Sequence, residues 1–202
     1  MTGNIHQSEQ INPKQGQILV RLARLAIMEK LGQRIPGTGG RMLSESLTEK
    51  IFKEKAATFV TLEIGGQLRG CIGSLTATQS LAADVRQNGE SAAFHDPRFA
   101  PVSLDEMKRV QIEISVLTSP QPLKYYNSND LVSTLCPQVD GVIIKKGMAG
   151  ATFLPQVWDQ LPNPEDFLTH LCRKAGLDGD AWRDTPLNVS TYQVQYFEEG
   201  GG

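Results

Sequence analysis

The sequence predicts an α+β protein in which two hairpin–helix–strand repeats form a mostly antiparallel, barrel-like sheet with helices packed over it. Three observations predict this class: candidate hairpins turn at Gly65-Gly66 and at Gly147, a helical apolar stripe follows each, and a strand-like run follows each helix. Tight hairpins join antiparallel strands, which argues against a doubly wound parallel sheet.

The elements follow in order. Asn12-Pro13 reads as an N-cap with a proline in the first turn, and Ile18, Leu19, Leu22, Leu25 and Ala26 recur at helical spacing until Leu31-Gly32 closes the segment. Arg21, Arg24, Glu29 and Lys30 lie off that stripe and read as a solvated face. Residues 32–41 hold four glycines but lack the Lys-Ser or Lys-Thr ending of a phosphate loop. Ser44 to Lys55 reads as a short helical connection.

From Thr58 the period changes to two. Phe59 to Ile64, the turn Gly65-Gly66, and Gln67 to Gly73 form the first hairpin, and Leu81, Ala82, Val85, Ala92 and Ala93 mark the helix after it. Ser103 to Glu106 is a capping box ahead of the β-branched strand Val110 to Leu117. The same order returns with Val142 to Lys146, Ala151 to Leu154, a helix from Asn163-Pro164 to Gly176, and a last strand from Val189 to Phe197. The reading is therefore a disordered start over 1–12, one domain over 13–198 with related halves at about 58–118 and 141–197, and a flexible tail over 199–202.

Composition bounds the function. The 202 residues are 40% hydrophobic and 21% charged, enough for an ordinary core and unlike disordered or fibrous chains. A net charge of -2 supplies no basic footprint, so bulk binding to nucleic acid or to an anionic membrane is not expected. Cys71, Cys136 and Cys172 are odd in number and form no CxxC pair, which argues for reduced thiols. The polar start lacks a signal-peptide pattern, and no apolar run approaches the roughly 18 residues of a membrane span. A cytoplasmic location is expected.

Three segments could carry chemistry. On the strand Leu68-Arg69-Gly70-Cys71-Ile72-Gly73, alternation puts Leu68, Gly70 and Ile72 on the core face and Arg69, Cys71 and Gly73 on the other. A guanidinium two residues from a thiol favours the thiolate, and glycines leave room for a ligand against the backbone. Phe94-His95-Asp96-Pro97-Arg98-Phe99 follows the helix, and its proline makes a shaped turn presenting His95, Asp96 and Arg98. Glu113 is a carboxylate in the middle of a strand, for which Arg69 or Arg98 is the expected partner. Inert alternatives exist for each: Cys71 as a small core residue, the 94–99 segment as a helix cap, Glu113 in a structural ion pair. Trp158, Trp182 and Cys172 read as core, and His170 as exposed.

LRGCIG at 68–73, SAAFHDPRF at 91–99, IEISVLT at 112–118, DGVIIKKG at 140–147, ATFLPQVW at 151–158 and FLTHLCRKAGL at 167–177 together resemble the AMMECR1 domain family. The similarity runs from about residue 14 to 198, and Gly89 departs from it, since the family more often has alanine there. The resemblance implies two related halves around a barrel-like sheet and a cleft lined by the LRGCIG strand, with no established reaction. Its stand-alone members carry the name of an AmmeMemoRadiSam system, which implies an association with a Memo-like protein and a radical S-adenosylmethionine protein.

Two functions stay open. In one, Cys71 is a nucleophile, Arg69 lowers its pKa, and His95 is a general base oriented by Asp96 or Glu113. In the other, Arg69, Gly70, Gly73, Asp96 and Arg98 line a cleft in a non-catalytic module that receives a small molecule or peptide. Metal binding through Cys71, His95 and Cys172 lacks ligand spacing, and no cofactor is expected.

Overall fold

The computed structural model describes residues 10–33, 43–184 and 187–200, so most of the glycine-rich 32–41 stretch lies outside it. The chain divides into two compact units, residues 1–117 with 195–202, and residues 118–194.

In the first unit, α1 (Pro13–Lys30) and α3 (Leu81–Phe94) pack on one face of a sheet built from β1 (Ala57–Ile64), β2 (Gln67–Gly73), β3 (Val110–Leu117) and β8 (Val194–Glu198). The short helices α2 (Lys50–Lys53) and α4 (Leu104–Met107) complete it. The strand order is β2-β1-β3-β8. Val60, Leu62, Ile112 and Ile114 form the core face, and each is at most 1% exposed. Asn12 caps α1 with its side chain on the Gln15 N–H, and Ser80 does the same for α3 at Ala83. α3 runs unbroken through Gly89, where the missing Cβ leaves α3 close to Ala23 of α1.

In the second unit, β4 (Gln121–Pro122), β5 (Gly141–Lys146), β6 (Ala149–Phe153) and β7 (Asn188–Tyr192) make a sheet in the order β4-β7-β5-β6. The helices are α5 (Ser128–Thr134), α6 (Pro164–Lys174) and α7 (Ala181–Asp184), with a 3-10 turn at Pro155–Asp159. Trp158 stacks on Phe167 at 3.7 Å between centroids inside this unit's core, which also holds Trp182 and Cys172. His170 is exposed. Asn163 caps α6, and Gly176 follows its end with a φ of 75°.

The α+β class and antiparallel pairing are as the sequence predicts, but the strands form two four-stranded sheets and not one closed barrel. The run Val189 to Phe197 is two strands, because the chain leaves one sheet after Tyr192 and joins the other from Val194. Period-two alternation cannot report that change of partner. Arg24 is only partly exposed and is engaged by the protein: its guanidinium pairs with Glu199 and donates to the carbonyls of Met107 and Val110. That pair and the Glu199 N–H on the Ile112 carbonyl fasten a residue the sequence assigns to the tail. At the other end Ile11 is buried, and its backbone bonds the Gln195 side chain.

Candidate functional site

The candidate site is on β2, an edge strand. Its hairpin turns at Gly65 and Gly66, with φ of 60° and 74°, values that favour glycine in a tight two-residue loop. Ile64 pairs with Gln67 and Glu63 with Leu68, but Leu62 pairs with Gly70, so Arg69 is the extra residue of a β-bulge.

The bulge changes which side chains share a face. Cys71 lies opposite Thr61, on the side away from the helices, and Leu68 lies opposite Glu63 on that same side. Leu68 is therefore 43% exposed, where uninterrupted alternation places it in the core. Ile72 does pack against the core. Gly70 is buried against α3, where a Cβ would stand 2.2 Å from the Ala92 carbonyl oxygen. Gly73 is similarly confined, since a Cβ there would meet the Phe59 ring at 2.3 Å.

Arg69 does not serve Cys71. Its Nε donates to Glu106 Oε1 at 2.8 Å and its Nη2 to the Ala100 carbonyl at 2.8 Å. Glu106, the N3 residue of the α4 capping box, also accepts from the Ser103 backbone. The Arg69 hydrogen bond and then that backbone bond hold the Glu106 carboxyl down at about 2.

The cation beside Cys71 is Arg98. Asp96, buried after the end of α3, accepts the Cys71 N–H at 2.9 Å and holds Arg98 through Nε at 2.9 Å and Nη2 at 2.7 Å. Arg98 Nη2 reaches the Cys71 carbonyl at 3.2 Å. Both outward backbone groups of Cys71 are thus bonded, and the ion pair stands where another strand would lie. Arg98, then the Cys71 N–H, keeps the Asp96 carboxyl far below the usual carboxylate range despite burial. Arg98 is itself stabilised as a cation, chiefly by Asp96. Phe99 lies beneath both guanidiniums, 5.7 Å from Arg69 and 5.5 Å from Arg98.

The thiol meets a neutral neighbour: Thr61 Oγ1 donates to Cys71 Sγ at 3.4 Å. Thr61 separates Cys71 on β2 from Glu113 on β3, so the two backbones are two strand spacings, about 10 Å, apart. Glu113 pairs with neither Arg69 nor Arg98, and it accepts a hydrogen bond from Ser115 Oγ at 3.4 Å. Burial and then the Glu198 charge raise its pKa, with Glu63 adding to the rise. His95 caps α3 through its backbone and is exposed, and among the described residues its ring bonds neither Cys71 nor Asp96.

Cys71, Asp96 and Arg98 are therefore brought together, whereas Arg69, His95 and Glu113 each lie in a different setting. The site also uses Thr61, the Ala100 carbonyl and Asp84, which no motif in the sequence marks. Asp84 is 1% exposed and accepts from Thr58, Ser74, Gln79 and Asn88, pinning the Ser74 end of β2 to α3. An acid in a first helical turn resembles a helix-dipole residue, so only its position facing the core, one turn before Asn88, marks it.

The chain matches the AMMECR1 family over residues 20–197. It is 38% identical to a protein of Methanothermobacter thermautotrophicus over 192 residues, 93% of this chain and 95% of that protein. It is 36% identical to a protein of Thermofilum pendens over 205 residues, covering 94% and 92% of the two chains. The crystal structure of an uncharacterised Pyrococcus horikoshii protein superposes with a TM-score of 0.78 at 35% identity, covering 94% of each chain. By its sequence and by its fold, this chain belongs to the AMMECR1 family.

Proposed function

We propose that this protein is a binding module whose recognition face is the Cys71 stretch of β2, with the thiol as part of that face and not as the nucleophile of a Cys–His pair. The observation that carries this reading is the commitment of the would-be activating groups: Arg69 bonds Glu106, Asp96 bonds Arg98, and the His95 ring bonds neither Cys71 nor Asp96. A nucleophile of that type needs its base within reach and its base in turn oriented. What Cys71 has instead is a backbone held on its open side and a side chain oriented by Thr61, which supports a preformed surface.

Timed alkylation at neutral pH with peptide mapping separates the two functions. The binding reading expects Cys71 to react no faster than the exposed Cys136, and His95→Ala to leave its rate unchanged. Faster labelling of Cys71 that falls in His95→Ala would overturn it. A Memo-like protein and a radical S-adenosylmethionine protein are the macromolecular partners to test first. Purified association should weaken in Arg98→Ala, and retention of full affinity by that variant would remove this face from the contact.

One observation favours a second reading. Arg98 Nη2 stands 3.2 Å from the Cys71 carbonyl while Arg69 is bound to Glu106, so Arg98, and not Arg69, is the cation of any thiolate chemistry. Slower alkylation in Arg98→Lys with an unchanged rate in Arg69→Lys would support it.

A further inference from the structure

Arg69 and Arg98 are held in the same way. Each guanidinium lies side-on to a carboxylate through Nε and Nη2, Arg69 on Glu106 at 2.8 and 3.3 Å and Arg98 on Asp96 at 2.9 and 2.7 Å. Each Nη2 also donates to backbone, at the Ala100 carbonyl for Arg69 and the Cys71 carbonyl for Arg98. Both forks are therefore fixed in orientation, and in both the corner turned away from the carboxylate is Nη1.

Among the described residues neither Nη1 has an acceptor. The Arg98 side chain is 53% exposed, so solvent reaches it. At Arg69 the atom is buried, and it is the one buried side-chain nitrogen or oxygen without a partner among the described residues. Such a group is destabilising and uncommon in native proteins, which makes its place beside the Cys71 face informative. Arg69 is also the extra residue of the β2 bulge, a distortion that re-aims a side chain, here toward Glu106. The two guanidiniums share one neighbour: the half-buried Phe99 ring has its centroid 5.7 Å from Arg69 and 5.5 Å from Arg98.

We propose that Arg69 and Arg98 are the anion-reading corner of the recognition face, and that the ligand group they take is a carboxylate. This rests on that face being a binding surface. The Phe99 ring turns aside, one carboxylate oxygen meets Arg69 Nη1, and the other meets Arg98 Nη1. Glu106 and Asp96 stay in place and already balance the two cations, so the corner offers fixed donors without surplus positive charge. A phosphate dianion leaves more charge unbalanced beside those two acids, whereas a carboxylate brings one charge and two coplanar oxygens. A neutral amide has one acceptor oxygen and no charge.

The probes are acetate, acetamide, inorganic phosphate and an acetylated alanine dipeptide with a free C-terminal carboxylate. Each is titrated into the full chain at constant ionic strength and followed by the Nε–H signals of Arg69 and Arg98 and the ring signals of Phe99. Acetate should shift all three saturably with one midpoint, and acetamide should bind about tenfold more weakly, the worth of one charge-assisted hydrogen bond. Phosphate should also bind more weakly than acetate. A dipeptide that binds more tightly than acetate identifies a peptide terminus as the source of the carboxylate, and equal affinity identifies a free acid. Arg98→Lys and Arg69→Lys each keep the charge but lose the fork, and each should weaken acetate about tenfold, with thermal melting to show that the variant is folded. Because Arg98 is the more exposed, its variant decides the matter if Arg69→Lys does not fold. Equal binding of acetamide, tighter binding of phosphate, Phe99 signals that stay still, or unchanged affinity in Arg98→Lys would overturn the assignment. Cys71 alkylation reports on the recognition face separately: fast labelling that depends on His95 removes that face, whereas slow labelling with no saturable acetate shift removes only the carboxylate.

Discussion

The edge strands β2 and β6 occupy the same place in their two sheets, and only β2 carries a thiol. Each is the second strand of a hairpin whose first strand also pairs with the strand after the helix. Counting back from the turns, Ile64 pairs with Gln67 and Lys146 with Ala149, which aligns Thr61 with Ile143 and Glu113 with Ser190. Leaving out the bulged Arg69, Cys71 aligns with Thr152. The core faces match in kind, Val60 and Leu62 against Val142 and Ile144, all fully buried. The opposite faces do not: cysteine, threonine and glutamate in one sheet stand where threonine, isoleucine and serine stand in the other. Packing constrains the first face to aliphatic residues, and the second is free to acquire chemistry.

The largest expected effect tests the close approach of β2 to its helix. Gly70→Ala drives a Cβ into the Ala92 carbonyl and should cost about 3 kcal/mol by urea unfolding. The aligned residue in β6 is already an alanine, Ala151, so Ala151→Gly should cost only about 1 kcal/mol. Equal effects would remove the claimed asymmetry.

Next comes the cover on each edge. Asp96→Ala strands the Cys71 N–H and Arg98 and should cost about 2 kcal/mol, whereas Lys174→Ala, losing one exposed bond to the Thr152 carbonyl and a contact over the Phe153 ring, should stay within about 1 kcal/mol. The Asp96 pKa is depressed by folding, so its contribution is complete above the unfolded carboxylate value, about 4, and disappears as pH falls below it. The wild-type and Asp96→Ala stability curves should therefore converge in acid. A constant gap between them down to pH 2 would contradict this assignment.

The two long helices after the hairpins also differ, since only α3 carries an internal glycine. A Cβ at Gly89 would meet Ala23 at 3.4 Å, an ordinary contact, so Gly89→Ala should stabilise by up to about 1 kcal/mol. A lower urea midpoint would show that α1 and α3 have no room to spare.

The smallest effect is at Glu113. Its pKa is raised in the folded state, so stability falls as pH rises from the unfolded value, about 4, through the folded one. Glu113→Gln should gain about 0.5 kcal/mol at pH 7 and lose that advantage below pH 4, as a thermal-melting series would show.

Much of the architecture was legible because its causes are local. Asn12-Pro13 and Asn163-Pro164 start helices wherever they stand, Gly65-Gly66 turns a hairpin through its positive φ, and Val110 to Leu117 is β-branched enough to be read to the residue. The motif around Cys71 was also visible, but its contact with Asp96 and Arg98 was not. Pairings between distant side chains were not, because any carboxylate in the chain competes for each arginine and only packing ranks them. Glu106 reads from sequence as a cap alone, yet it is the partner of Arg69.

Local sequence therefore sets the inventory: helices, hairpins, most core-facing residues and the groups available for chemistry. Which of those groups meet was decided by tertiary structure, and the bulge at Arg69 shows why. Alternation counted back from the core-facing Ile72 without it puts Leu68 in the core; with it, Leu68 lies opposite Glu63 and turns to solvent while Thr61 bonds Cys71. A side-chain alternation of period two makes one extra residue reverse every face before it, and nothing in the local composition of Leu68-Arg69-Gly70 shows where that residue lies.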